Sequence, residues 1–325
     1  MTTGQHAPGD GTPDVGAAAT PDGLPLVTVV IATHHRPELL RVALDAVAAQ
    51  DYAGPIETVV VFDQSEPDAS LARDDRQREV RVVSNTERTP GLAGARNTGI
   101  LAARGDLVAF CDDDDSWRPE KIRLQVAALA AEPDALTAVS GITVMYDDRS
   151  VDRVPQPGDV TLAQLARRRV MEAHPSSVVV RRSALLGAIG LVDEEIPGSY
   201  GEDYDWILRA AQAGPIAVVP RSLVAVRWGQ SLFSQRWTTI LAWIEYALAK
   251  HPVLSADPRG LARLLGQRAF ALAALGRRRE ALRVVGQVLR RNPREPRGWL
   301  AAAVALRLVT AKRAMHAAHR RGRGV

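Results

Sequence analysis

Two groups of carboxylates have the types and spacing to do chemistry. Asp112, Asp113, Asp114 and Asp115 follow directly on the apolar run Leu107–Phe110. Like charges this close repel and raise one another's pKa values, and a divalent cation relieves that repulsion. Oxygen ligands with no His or Cys pair nearby in sequence favour Mg2+ or Mn2+ over zinc, and such ions usually bind one or two carboxylates plus substrate phosphates. A solvated acidic loop and a calcium site are the alternatives; the place at a strand end favours the metal. The second group, Gly201-Glu202-Asp203-Tyr204-Asp205-Trp206, opens an amphipathic helix after a loop containing Gly and Pro. Acidic residues at a helix start serve as caps and dipole partners. A carboxylate held there beside a metal could instead act as a general base.

The elements that must position these groups alternate. Val27–Ala32 is a buried-strand pattern, Glu38–Ala49 sets Leu40, Leu44 and Val47 on one helical face, and Ile56–Phe62 is a second β-branched run. Val80–Val83, a helix over Ala95–Ala103 and the strand Leu107–Phe110 continue the alternation, followed by a helix over Arg118–Ala131 and a strand over Leu136–Met145. This order predicts an α/β domain with a mainly parallel sheet, in which ligands sit beyond the carboxyl ends of the strands. The strand over Leu136–Met145 leads into the polar stretch Tyr146–Asp159, for which no element is assigned. Further on, Ser176–Val180, Ile216–Val219 and Leu223–Trp228 read as short strands, and Glu202–Ala213 as a helix ended by Gly214-Pro215.

Taken in order, the motifs resemble the family 2 glycosyltransferases of the GT-A fold. They run Val29-Val30-Ile31-Ala32-Thr33, Arg36-Pro37, Asp63-Gln64-Ser65, Gly91-Leu92-Ala93-Gly94-Ala95-Arg96-Asn97-Thr98-Gly99, Phe110-Cys111-Asp112-Asp113-Asp114-Asp115-Ser116-Trp117 and Gly201-Glu202-Asp203-Tyr204-Asp205, over roughly residues 26–230. The resemblance implies a metal-dependent, inverting, single-addition transfer of a sugar from a nucleotide-diphosphate donor to an acceptor hydroxyl, in polysaccharide, glycolipid or glycoconjugate biosynthesis. It places Thr33, Arg36 and Asp63 around the base and ribose, Arg96 and Asn97 beside the nucleotide, and Asp112 and Asp113 at the ribose or sugar. It makes Asp112 and Asp114 the ligands of Mg2+ or Mn2+, with Asp115 assisting, and Asp203 the catalytic base. Where the family often has Asp-Asp-Gly-Ser, this chain has Phe62-Asp63-Gln64-Ser65; a UDP-sugar is the favoured donor. His174-Pro175-Ser176-Ser177 resembles an acceptor-side segment, Arg227 and Ser231 fall at a flap over the diphosphate, and Gln235-Arg236-Trp237 is a shortened form of a processive-synthase signature.

Composition bounds the alternatives. A chain of 325 residues, 46% hydrophobic and 24% charged, has the balance of a globular protein of about two domains. One cysteine, Cys111, excludes an internal disulfide and a CxxC zinc site. Thr33-His34-His35-Arg36 occupies the turn where a dinucleotide fold would carry GxGxxG, and GxxxxGK[ST] is absent. A sugar nucleotidyltransferase and an inactive scaffold of the same fold are the remaining alternatives. Residues 1–25 read as a disordered leader, 26–250 as the catalytic domain and 251–325 as a basic α-helical extension in which Arg268–Leu306 resembles one tetratricopeptide hairpin.

The net charge of +4 hides an asymmetry: residues 251–325 carry 17 Lys+Arg against 3 Asp+Glu. The basic clusters Arg277–Arg279, Arg290-Arg291 and Lys312–Arg323 suggest either a solvated helix surface or peripheral contact with anionic lipid near a lipid-linked or carbohydrate acceptor. Nucleic acid is not the expected partner, since the tail has no aromatic interleaving beyond Trp299 and no recognisable nucleic-acid motif. With no apolar run of membrane-spanning length, the expected location is cytoplasmic, or peripheral on the inner membrane face.

Overall fold

In the computed structural model the described residues are 23–146, 149–227 and 237–319, with side chains to residue 315. Residues 1–22 of the leader, Ser231, Gln235 and Arg236 therefore lie outside the described residues, as does the end of the basic tail.

The chain opens β1 (Val27–Thr33), α1 (Pro37–Ala48), β2 (Ile56–Phe62), β3 (Arg78–Ser84), α2 (Leu92–Ala102) and β4 (Leu107–Phe110). β1 and β2 consist almost wholly of buried side chains, as a strand covered on both faces requires. β5 (Ser116–Trp117), α3 (Lys121–Ala131), β6 (Thr137–Tyr146), β7 (Arg149–Arg153), α4 (Leu162–Arg167), β8 (Val178–Arg181) and α5 (Arg182–Leu185) follow. After them come α6 (Glu202–Ala213) and β9 (Ile216–Arg227), then six helices: α7 (Trp237–Lys250), α8 (Val253–Ala256), α9 (Pro258–Ala274), α10 (Arg278–Arg291), α11 (Pro296–Ala305) and α12 (Ala311–His319).

Among the described residues nine strands form one sheet, in the order β3-β2-β1-β4-β8-β6-β9-β5 with β7 on β6. Pairing directions set six of the nine strands pointing the same way, so the sheet is mainly parallel. β1 lies between β2 and β4, and the chain leaves it in opposite directions along the sheet, which opens a crevice at the strand ends. Thr33 is level with Phe62 across β1 and β2, and Val30 with Phe110 across β1 and β4. Thr33, Asp63 and the aspartate run thus reach the same edge.

Three local readings change. The polar residues of β7 form an exposed edge strand on β6; an edge strand with no buried face has no apolar alternation to reveal it. Ile216–Arg227 is one strand, because the register against β6 shifts around Gly141 and leaves Pro220 and Arg221 in a bulge, where a proline needs no ladder donor. The two-residue strand β5 pairs with β9 and is too short to leave a pattern.

The C-terminal helices share the core of the sheet domain. One apolar cluster runs from Val30 and Phe110 through Trp206 and Ile207 of α6 to Trp243, Leu254, Phe270 and Val288. Leu254 and Phe270, 0% and 1% exposed, each contribute about 2 kcal/mol of burial. The backbone is just as close: a Cβ on Gly260 of α9 would stand 2.2 Å from the carbonyl oxygen of Ala166 in α4. Asp205 of α6 is completely buried and accepts from Arg209 at 2.9 Å, Lys250 at 2.7 Å and His251 at 2.8 Å. These partners hold its carboxyl down to about 2 against the opposing effect of burial. A buried carboxylate needs such partners to stay charged, and here they tie α6 to the start of the extension.

Candidate active site

The crevice edge is a network of carboxylates and guanidinium groups. Thr33 Oγ1 donates to Asp113 Oδ2 at 2.8 Å, and Arg36 Nη1 donates to Asp113 Oδ1 at 3.1 Å and Asp114 Oδ2 at 2.9 Å. Burial raises the Asp113 carboxyl above its usual range despite those partners. Asp114 moves up as well, through burial and then Asp112. Arg36, at the turn after β1, therefore faces the aspartate run in this state.

Asp63 follows β2, and its backbone N–H donates to the Thr33 carbonyl at 3.0 Å. Its Oδ1 accepts from Asn85 Nδ2 at 2.8 Å, and its Oδ2 from Gln64 Nε2 and from the Gly91 N–H, both at 2.9 Å. A carboxylate offers about four acceptor positions, so Asp63 fastens the loop before α2 and retains acceptor capacity. The sequence reading missed Asn85 in this role, since an isolated Asn after a strand carries no signal of its own.

Arg96 and Asn97 stand side by side on α2 and serve different partners. Arg96 is buried, with Nη2 at 2.6 Å from Asp112 Oδ1 and Nη1 at 2.9 Å from Glu202 Oε1. It links the two acidic groups singled out above. Asn97 points the other way: its Nδ2 donates to the Val192 carbonyl and to Glu194, and its Oδ1 accepts from the Val192 N–H. Those bonds account for its side chain inside the protein. The helix itself can come this close to β1 because residue 99 is Gly, where a Cβ would meet Val30 at 2.3 Å.

Deeper in, Asp112 N–H donates to Ser176 Oγ at 3.0 Å, and Ser176 Oγ donates to Asp115 Oδ2 at 2.6 Å. His174 Nδ1 lies 3.5 Å from Asp115 Oδ2, and its Nε2 4.0 Å from Asp112 Oδ2. Ligand atoms of Asp112, Asp115 and His174 all lie within 4.8 Å of one another. Burial lowers the imidazole below its ordinary pKa, and its Nδ1 accepts the Ser176 N–H at 3.3 Å. Burial and then Asp112 push the Asp115 carboxyl well up. The acid-rich donor set suits a hard divalent ion, which would relieve the crowding of Asp112 to Asp115. The sequence reading saw no histidine near the aspartates; tertiary folding brings His174 in. Asp114 stands outside this cluster, in the grip of Arg36. At Arg227 it is the backbone N–H that turns toward Asp115, at 3.4 Å.

Glu202 and Asp203 open α6 behind Gly201, whose φ of +82° suits glycine and whose Cβ position would fall 2.7 Å from the Trp243 ring. Burial and the neighbouring Asp203 carry Glu202 up to about 7, even with Arg96 opposing. Asp203 behaves oppositely. Burial raises it, but Arg169, His174 and the Tyr204 N–H together hold it below the usual carboxylate range. Arg169 Nη2 lies 2.5 Å from Asp203 Oδ2. Arg169 stood in the sequence inside the run Arg167-Arg168-Arg169, indistinguishable from a solvated charge run.

A parallel half-sheet with an acidic, cation-suited cluster at its strand ends, faced by a helix-borne carboxylate, defines a GT-A type glycosyltransferase. Residues 28–186, just under half of the chain, match the sequence model of Glycosyl transferase family 2, which supports a family 2 glycosyltransferase of the GT-A type. The amylovoran biosynthesis glycosyltransferase AmsE of Erwinia amylovora is 26% identical over 227 residues, 67% of this chain and 82% of its own. S. aureus TarS 1-349 in complex with UDP-GlcNAc superposes with a TM-score of 0.58 at 18% identity, covering 91% of this chain and 92% of that one. The Pyrobaculum calidifontis mannosyltransferase PcManGT in complex with GDP-Man and Mn2+ does so with a TM-score of 0.52 at 21% identity, covering 91% and 84%. The chain spans 58% of the length of the Mycobacterium relatives it matches at 27% identity over 212 residues. No helix among the described residues is long and apolar enough to cross a membrane.

Proposed function

We propose that this chain transfers a sugar, with inversion, from a nucleotide-diphosphate donor, a UDP-sugar first among candidates, to a hydroxyl of a carbohydrate or lipid-linked acceptor in polysaccharide, glycolipid or glycoconjugate biosynthesis. The observation that carries the reading is the bridge from Asp112 through Arg96 to Glu202, the residue next to Asp203, which joins the two acidic groups. Solved structures of the same fold bound to UDP-GlcNAc and GDP-Man support the donor class, and the likeness to AmsE, an amylovoran biosynthesis glycosyltransferase, supports polysaccharide synthesis. A peripheral location at the inner membrane face suits a lipid-linked acceptor.

The donor's base and ribose lie in the crevice lined by Thr33, Arg36 and Asp63, and Arg36 can turn from the aspartates to the diphosphate. Asp112, with Asp114 or Asp115 and His174, would hold Mg2+ or Mn2+, and such an ion, when bound, neutralises charge on the departing nucleoside diphosphate. Asp203 is ionised at neutral pH and accepts the acceptor's hydroxyl proton as that oxygen bonds to the anomeric carbon. The anomeric carbon–oxygen bond to the diphosphate breaks on the opposite face, its electron pair leaving with the phosphate. No covalent enzyme intermediate is needed.

Asp203→Asn is the test. Turnover falls by about 10²–10⁴, while the nucleotide still raises the melting temperature as in the wild type. A variant retaining full turnover removes Asp203 from the mechanism.

A further inference from the structure

The basic clusters of the extension separate in space. α9 ends, α10 begins and α11 ends at one pole of the helical layer, where Arg278 Nε donates to the Ala305 carbonyl. Arg290 and Arg291 close α10 at the opposite pole, beside the Pro293–Trp299 contact. The second pole exposes one large apolar side chain, Trp299 at 58%, whereas the first sets three protruding leucines among its charges.

Both helices that end there do so in the same way. The Gly276 N–H bonds the Ala273 carbonyl and the Arg277 N–H that of Leu272; likewise the Arg307 N–H bonds Val304 and the Leu308 N–H bonds Ala303. This pattern takes a left-handed residue just past the helix, usually glycine. Gly276 provides it in the first case, with φ +78°. In the second the residue is Arg307, at φ +64°, a conformation that L side chains other than Asn and Asp rarely adopt. The turn sets Leu306 and Leu308, 52% and 78% exposed, on either side of Arg307. In this helix ending the residue at the Leu308 position frequently packs back onto the helix; here it stands in solvent. Leu275, 39% exposed, protrudes from the neighbouring turn.

Around these leucines stand the exposed side chains of Arg277, Arg279, Lys312 and Arg313. Glu280 is held by Arg277, and Glu245 of α7, paired with Arg268, lies close enough to act on Arg277 as well. We infer that this pole is a membrane-docking tip: Leu306 and Leu308 enter the interface of an anionic bilayer while the surrounding Arg and Lys side chains meet lipid phosphates. Separate leucines ringed by cations fit a headgroup and acyl boundary. A protein partner's interface core would be depleted of charge, and a nucleic acid has no use for the leucines. The inference deepens the lipid-linked acceptor reading and rests on it, since the tip would anchor an enzyme whose substrate lies in the bilayer.

The full-length protein is floated with vesicles of phosphatidylcholine alone and of phosphatidylcholine mixed with phosphatidylglycerol, at low and moderate salt. Binding is expected to the anionic vesicles and to weaken with salt. Leu308→Ser weakens it about tenfold, the loss from exposing one leucine. Arg279→Gln weakens it about fivefold, and Arg290→Gln at the other pole leaves it unchanged. Absence of binding to anionic vesicles at low salt overturns the inference, as does wild-type binding by Leu308→Ser or equal loss from Arg290→Gln. Nucleotide-induced melting shifts on the same samples report the donor site separately, so failure of the tip and failure of the transferase reading are told apart.

Discussion

Arg169 Nη2 sits 2.5 Å from Asp203 Oδ2, so the carboxylate assigned as base is already ion-paired before any acceptor arrives. Arg169 comes from the loop after α4 and Asp203 from the first turn of α6. Its consequence is electrostatic: Arg169 is the foremost of the influences that lower the Asp203 carboxyl against burial.

Removing Arg169 should therefore move the acid limb of the rate profile. In the wild type Asp203 stays ionised well into the acidic range, so the base form is lost only as pH falls through its lowered pKa. In Arg169→Ala the opposing burial prevails, the Asp203 carboxyl rises, and kcat/KM begins to fall at a higher pH. Arg169→Lys keeps the charge and restores most of the acid limb. Rate profiles of the three proteins decide the matter; an unmoved limb in Arg169→Ala would mean that another group governs it.

The metal donors are separable by melting experiments with Mn2+ and a nucleoside diphosphate. A ligand at about 100 times its Kd stabilises by roughly 2.7 kcal/mol. Asp112→Asn should abolish the metal-dependent part of the shift. If the buried cluster is the site, Asp115→Asn and His174→Ala reduce it while Asp114→Asn retains it. If Arg36 releases Asp114 on binding, Asp114→Asn abolishes it instead. Equal shifts for all four variants and the wild type would place the ion elsewhere.

Lys121 gives a stability prediction independent of catalysis. Its side chain is 0% exposed, its Nζ has no hydrogen-bond partner, and it lies 3.9 Å from the centroid of the Trp117 ring. Burial lowers it to about 7. The unfolded chain therefore binds more protons than the folded one between about 7 and its ordinary value of 10.5, and stability rises with pH across that window. Lys121→Met removes the dependence. Its advantage over the wild type should grow by up to about 1.4 kcal/mol for each pH unit lowered within the window. Urea unfolding at several pH values measures this; a constant difference would mean that the amine stays protonated, held by the indole.

Local chemistry was legible in the sequence wherever it was carried by contiguous residues. The strand runs of β1, β2 and β4, the aspartates at the end of β4 and the acidic opening of α6 are each a pattern of neighbours, read from side-chain period and composition. Their order along the chain was enough to point to the family and to the α/β fold with its helical extension.

What only the tertiary structure decided are the pairings between residues far apart in sequence. Arg96, bonded to Asp112, reaches Glu202 across 106 positions, His174 and Ser176 come to Asp115 from a later loop, and Arg169 meets Asp203 across 34 positions. The helical extension, which charge alone set apart, is bound into the same core through Asp205 and the packing of α9. A charged side chain has the same local sequence whether water or a buried partner compensates it. Which of the two does so depends on distances fixed only when the elements pack, and those distances also set whether a carboxyl such as Asp203 or Glu202 holds its charge at neutral pH.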